Sequence, residues 1–279
     1  MSNIVINQEF LKTIKNYTDN NKVKILFGLP MYGGKCFSGF FKSFINLSLT
    51  LVKLNIEFDV NIIENESLIQ RARNNIVSNF LNNETFTHLM FLDADLTFEP
   101  ARIIELLISG LPICGCLYPK KGLDLSKVKS KLNSIEITSD LLKDNPIGFL
   151  NGCSDFVVNY EQKINIVNNK FINVRHIGTG FMMIQRKVFI DLIDKYPEKS
   201  YTCQTNRQNL YNFFDCIIDP ISNRYLSEDY YFCDLVKTVG YTCHVLLDSE
   251  ISHTGTYHFT GNFIDFFKSK INNNSFNPN

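Results

Sequence analysis

Between residues 23 and 117, short apolar runs alternate with longer stretches whose apolar residues recur at helical spacing. That alternation constrains the chain more than any other feature, because strands joined by crossover helices assemble into an α/β sheet. Residues 23–29 (VKILFGL) read as a buried strand, ended by Pro30 and the Gly33-Gly34 pair. Phe37, Phe40, Phe41, Phe44, Leu49 and Val52 follow on a helix expected to pack back on the sheet. A second strand is expected at 56–63. Ser67, with Gln70 three residues on, then forms a capping-box pattern, and Leu68, Ala72, Ile76 and Phe80 make that helix's buried stripe. Residues 88–92 read as a third strand, Pro100 suits the first position of the next helix, and 111–117 read as a fourth strand.

After residue 121 the pattern fades, and 122–170 read as a polar, irregular insertion. Periodicity returns at 171–186, where Gly178 and Gly180 interrupt two strand-like runs. Phe189, Leu192, Ile193 and Tyr196 mark a helix, and 200–226 look loop-rich and aromatic. A helix is expected from Glu228, with Phe232, Leu235, Val236 and Val239 inward, and then a strand at 241–247. No internal repeat is visible, so the expectation is a single α/β domain with a central mixed, mostly parallel sheet flanked by helices.

Charge excludes other classes. The 279 residues carry 28 basic and 28 acidic side chains, which leaves no electrostatic footprint for a nucleic-acid partner. No apolar run is long enough to span a bilayer, and the first residues lack a signal-peptide pattern, so the expected location is the cytoplasm. Eight scattered cysteines without a C-x-x-C pair read as reduced core residues.

The richest segment is HLMFLDAD at 88–95. An apolar strand that ends in D-x-D delivers Asp93 and Asp95 to the crevice where α/β folds bind ligands. Two hard oxygen ligands suit Mg2+ or Mn2+, whereas the plainer reading is that they shape the turn before Pro100. Ser67, Arg71, Asn74 and Ser78 share one helical face, which either borders that crevice or is a solvated surface. Glu228 and Asp229 open a helix, either as complements of its positive end or as a general base facing the crevice. His253 follows the last strand, where an imidazole suits a ligand beside Asp95; His258, between Tyr257 and Phe259, reads as packing.

In this order LPMYGG, SLIQRARN, FLDAD, YPKK, GTGFMMI, LSED and HTG resemble the GT-A class of nucleotide-sugar-dependent glycosyltransferases, especially compact enzymes of large DNA viruses and phages. The resemblance runs from about residue 23 to 261. It implies a Rossmann-like nucleotide-binding half at about 22–121, a variable insertion at 122–170, an acceptor half at 171–262 and a polar tail at 272–279. It also implies that Pro30, Tyr32 and Glu64 lie around the base and Arg71 near the base or diphosphate, with Ala94 and Lys120 also on the donor. Asp93 would meet the ribose or the metal, Asp95 and His253 the metal, and Asp229, next to Glu228, would be the catalytic base of an inverting transfer. The implied cofactor is Mn2+ or Mg2+ and the implied donor a UDP-sugar, with a glycan, protein or small-molecule hydroxyl as acceptor. If the source is viral, the location becomes the host cytoplasm. A sugar nucleotidyltransferase is the alternative enzyme, although GLPMYGGKC lacks the Gly-rich, Arg-containing loop that would wrap a triphosphate. A non-catalytic nucleotide-sugar or glycan binder is the other alternative.

Overall fold

The computed structural model of the protein describes residues 8–134, 150, 153–203 and 208–256. The polar tail at 272–279 and His258 lie outside them. Strands β1 (Lys24–Met31), β2 (Glu57–Glu64) and β3 (His88–Leu92) run parallel, with β1 in the middle. The short β4 (Leu96–Thr97) follows β3, and β5 (Ile113–Cys116), β6 (Val158–Tyr160), β7 (Ile166–Val167), β8 (Phe171–Ile177) and β9 (Phe181–Gln185) come next. Two dipeptide strands, β10 (Ile217–Ile218) and β11 (Tyr225–Leu226), precede β12 (Cys243–Leu246) and β13 (Ser252–His253). The main sheet has nine strands in the order β2-β1-β3-β9-β5-β12-β8-β6, with β7 also on β8. Only β8 and β9 run against the others, so the sheet is mixed with most strands pointing one way. The α/β layering follows from the alternation read in the sequence.

Strand alternation sorts the core into two layers. Ile25, Phe27, Met90 and Leu92 face helices α1 (Gln8–Asn20), α2 (Ser38–Lys53) and α4 (Pro100–Ile108). Leu26, Leu89 and Phe91 face α3 (Ile69–Asn82), α6 (Arg186–Lys195) and α7 (Glu228–Thr238). Helix α5 (Leu125–Ser134) lies, with β6 and β7, in the stretch read as an irregular insertion. Its strands are two and three residues long, too short for periodicity to reveal. Helix α1 was also missed, although Phe10, Ile14 and Tyr17 mark its inner side.

Two local expectations need correction. Helix α2 buries Phe40, Ser43, Leu47 and Leu51, whereas Phe41, Leu49 and Val52 are exposed at 58%, 55% and 64%. Both faces of α2 are apolar, so spacing alone could not choose the inner one. Helix α3 begins at Ile69, and its cap position, Leu68, makes no side-chain capping bond. Ser67 is therefore not its cap, and Leu68 is exposed rather than part of the stripe.

His88 opens β3 and ties the fold to pH. Its Nδ1 lies 2.8 Å from Thr87 Oγ1 and its ring is buried, which lowers its pKa to about 4. The folded state therefore binds that proton less well than the unfolded chain, whose histidine titrates near 6.5. Stability is fully present above about pH 6.5 and falls with pH, by about 3 kcal/mol on reaching pH 4. Urea unfolding should show that slope, and His88→Met should flatten it; an equal slope in both proteins refutes the assignment.

Candidate functional site

The parallel register brings the carboxyl ends of β1, β2 and β3 to one edge, because Met31 pairs Glu64 and Gly28 pairs Phe91. β9 starts at that edge, since Leu92 pairs Phe181, and β5 and β12 finish there. Pro30, Tyr32, Glu64, Asp93, Ala94 and Asp95 thus share one rim. Tyr32 and Glu64 are exposed, and Pro30 is half-buried. A side chain at Gly34 would touch the Glu64 carboxylate at 3.5 Å.

Gly178 and Gly180 sit in the β8–β9 turn for a steric reason. A Cβ on Gly180 would lie 2.4 Å from Asp93 Oδ2 and 2.7 Å from the Tyr118 hydroxyl. The Gly180 N–H donates to that hydroxyl (3.1 Å), and the Gly180 carbonyl accepts from Asp93 N–H (2.9 Å). Only glycine lets the backbone pass so close to the D-x-D turn.

The two aspartates have different neighbours. Asp93 Oδ1 is 3.7 Å from Nη2 of Arg73. The Arg73 Nε lies 3.3 Å from Glu228 Oε1, so one buried guanidinium stands between the two carboxylates. Its Nε and Nη1 have no hydrogen-bond partner. Burial pushes the Asp93 carboxyl above its ordinary range, with Arg73 opposing and Asp95 adding to the shift. The same influences act on Glu228, also pushed up by burial, with Arg73 opposing and Asp229 adding. Asp229 accepts the Ser227 hydroxyl and, at 2.8 Å, the Tyr230 N–H.

Asp95 faces the other way. Lys121 Nζ meets its Oδ2 at 2.5 Å, while Oδ1 is buried without a hydrogen-bond partner. His253 Nε2 stands 3.4 Å from that Oδ1. His253 Nδ1 lies 2.7 Å from the Pro119 carbonyl, which only accepts, so Nδ1 carries a proton. Nε2 then either donates to that oxygen, when the ring carries a second proton, or faces it as a second acceptor. A backbone carbonyl on the far nitrogen is the partner that metal-binding histidines usually have. The ring of Tyr118 holds the imidazole edge-on at 5.3 Å. Burial works to raise the Asp95 pKa, but His253 and Lys121 together hold it below the ordinary value. Among the described residues no group of three or more His, Cys, Asp or Glu is gathered as a metal cage. Asp95 and His253 are the two residues that would hold a divalent cation here, and two ligands suffice only if the rest come from outside the chain.

Arg71 is paired with neither aspartate but with a different carboxylate. It is exposed and gripped by Glu66 through two 2.6 Å bonds. Asn74 and Ser78, grouped with it in the sequence, are buried and bind the chain at 208–214: Asn74 bonds Asn212 and Phe214, and Ser78 the Gln208 carbonyl. Sequence reasoning missed Arg73 and Lys121. Arg73 had a signal, since it falls in helical register with Ile76, Val77 and Phe80, a charge on an apolar stripe. Lys121 had none to separate it from Lys120, whose N–H donates to Asp155 at 2.7 Å.

No family model matches the sequence, and no curated protein matches it. Among solved structures the chain is similar to the crystal structure of A197 from STIV, at 17% identity and a TM-score of 0.44, over 84% of this chain and 86% of that one. It is also similar to the crystal structure of GalNAc-T7 with UDP, GalNAc and Mn2+, at 9% identity and a TM-score of 0.41. That match covers 84% of this chain and 44% of the other. No helix among the described residues is long and apolar enough to cross a membrane.

Proposed function

We propose that the chain is a metal-dependent glycosyltransferase that moves a sugar from a UDP-sugar to a hydroxyl of a glycan, protein or small molecule. The observation that carries this reading is the Asp95–His253 pair at the D-x-D turn, where Asp95 Oδ1 is buried without a hydrogen-bond partner 3.4 Å from His253 Nε2. Asp95 and His253, with Asp93 beside them, would hold Mn2+ or Mg2+. Bound there, the ion supplies Lewis-acid stabilisation of the charge that develops on a departing diphosphate. Pro30, Tyr32 and Glu64 border the base, and Arg71, Ala94 and Lys120 line the donor's path along the nucleotide-binding half at 22–121. Asp93 accepts a ribose hydroxyl or joins the ion. Arg73 keeps Asp93 and Glu228 in place through charge, from a buried position that neither carboxylate could share with the other alone.

The transfer balances simply. The bond between the anomeric carbon and the β-phosphate oxygen breaks, and its electron pair leaves with UDP. The acceptor oxygen forms the new bond from the opposite face, and its proton passes to the Asp229 carboxylate. Inversion follows.

A panel of nucleotide sugars tests the reading, scored by thermal stabilisation and hydrolysis with and without Mn2+. At about 100 times its Kd a UDP-sugar stabilises by about 2.7 kcal/mol, or roughly 5 °C for a chain of this size. That shift should appear only with the ion and be accompanied by turnover. Pyrophosphate release from a nucleoside triphosphate and a sugar phosphate would instead make the chain a nucleotidyltransferase. Stabilisation without any turnover would make it a binding protein.

A further inference from the structure

Helix α2 carries a second apolar face that none of the described elements covers. Phe37, Phe41, Ile45 and Leu49 recur every fourth residue, with Val52 three further on, and all five are exposed. Sixteen residues make this helix about 24 Å long, so the row spans its whole length. Ile62 is also exposed, on the face of β2 whose Phe58 and Val60 pack into the α2 layer. Scattered exposed apolar residues need no explanation, but an unbroken row does.

Charge along the same helix has one sign. Lys35, Lys42 and Lys53 are exposed, no acid pairs with any of them among the described residues, and 35–53 contains no Asp or Glu. Lys42 and Lys53 stand eleven residues apart, close to three helical turns, so they share one flank of the row, beside Leu49. The acids of β2 are engaged elsewhere. Glu57 pairs Lys24, Glu57 and Asp59 alternate onto the face opposite Phe58 and Val60, and Glu64 lies at the D-x-D rim beside Gly34. Two copies of the chain meeting through α2 would set lysines near lysines, with no acid on either helix to answer them. A surface that is apolar inside and anionic outside answers both features at once, the row and its lysine flank.

We propose that the exposed face of α2 rests on an anionic lipid bilayer, with Phe41, Ile45, Leu49 and Val52 at the acyl boundary and Lys35, Lys42 and Lys53 at the lipid phosphates. The helix lies in the plane of the surface, and its inner side, Phe40, Ser43, Leu47 and Leu51, stays on the sheet, so binding requires no unfolding. Each lysine near such a surface adds about fivefold in affinity, a contribution that salt screens beyond about 8 Å at physiological ionic strength. The amino end of α2 is tied to the D-x-D turn, since Phe37 N–H donates to the Ala94 carbonyl at 3.0 Å. Docking therefore holds that rim near the membrane. The proposal stands independently of the reaction proposed above.

The sequence has no tryptophan, so Phe41→Trp gives the full chain a single reporter on this face. Its emission should shift to the blue on adding vesicles of phosphatidylcholine mixed with phosphatidylglycerol, and lipids brominated in the acyl chain should quench it. Vesicles of phosphatidylcholine alone, or the mixed vesicles in high salt, should bind about 10-fold more weakly or worse. In the same background Ile45→Glu and Leu49→Glu should each lower affinity for the mixed vesicles by about 10-fold or more, as should Lys42→Gln combined with Lys53→Gln. All four side chains are already exposed, so far-UV circular dichroism and the unfolding temperature should stay close to those of the parent. Emission that ignores the mixed vesicles overturns the proposal, and so does equal affinity for neutral and anionic vesicles. A blue shift that appears without lipid and grows with protein concentration, alongside a dimer in sedimentation, overturns it in favour of a second copy. If the glutamate variants fail to fold, the double lysine variant decides alone.

Discussion

If the proposed transfer is right, replacing Asp229 with Asn should lower it by about 10²–10⁴-fold, the usual scale for removing a general base, while Mn2+-dependent UDP binding stays unchanged. The substitution is informative because it spares the geometry. Asp229 Oδ1 accepts from Ser227 and from the Tyr230 N–H in the first turn of α7, and an amide oxygen can accept both. What asparagine loses is the basic oxygen and the charge. A carboxylate at a helix amino end is worth only about 0.3–1 kcal/mol, so a purely structural role predicts a small stability loss with transfer nearly intact. The loss should fall on kcat rather than KM, because the proton moves only in the transition state. Glu228→Gln is the contrasting case: it leaves buried Arg73 with only the more distant Asp93, and breaking a buried ion pair costs up to about 3–5 kcal/mol of stability. A variant pair in which Glu228→Gln abolishes turnover and Asp229→Asn does not would reverse the assignment. Product with retained anomeric configuration, read by NMR, would remove the base from both.

How much of this was legible in the sequence depended on whether a position obeys a local rule. The strands that carry Ile25, Met90 and Cys114 were visible because a buried strand is a continuous apolar run. The D-x-D turn was visible because it ends such a run. That β9 inserts antiparallel between β3 and β5 was not, since strand order depends on contacts made far along the chain. The face of α2 was misread for a physical reason: both of its stripes are apolar, so burial follows from the position of the sheet rather than from spacing. Around the site, the Asp95–His253 pairing was anticipated, but its proton arrangement rests on the Pro119 carbonyl, which no side-chain pattern encodes. Arg71 drew attention as an exposed cation on a polar face, while Arg73, two residues on, is the one buried against Asp93 and Glu228.

The unpartnered Asp95 Oδ1 beside His253 Nε2 can be satisfied in two ways, and the two predict different chemistry. A second proton on the imidazole would turn the contact into an ordinary ion pair, and the site would then need no metal. A divalent ion held by these two side chains would do the same electrostatic work and would give a diphosphate something to bind. Under the metal reading, UDP affinity falls sharply when EDTA is added to the parent protein. His253→Ala and Asp95→Ala should each weaken Mn2+-dependent UDP binding by about 10–100-fold, the scale seen when metal ligation or its orientation is disturbed. Neither should lower the unfolding temperature of the metal-free protein greatly, because both side chains are half-buried at the rim and Asp95 Oδ1 makes no hydrogen bond there. Under the proton reading, UDP binding ignores EDTA, and removing either partner costs stability instead, since each loses its counter-charge. Lys121→Met separates the two further. Its ammonium holds the other oxygen of Asp95 at 2.5 Å, so it repels a neighbouring cation. Without it, Mn2+ binding in the absence of nucleotide should tighten if the ion belongs there, and should stay as weak as before if the site is closed by a proton.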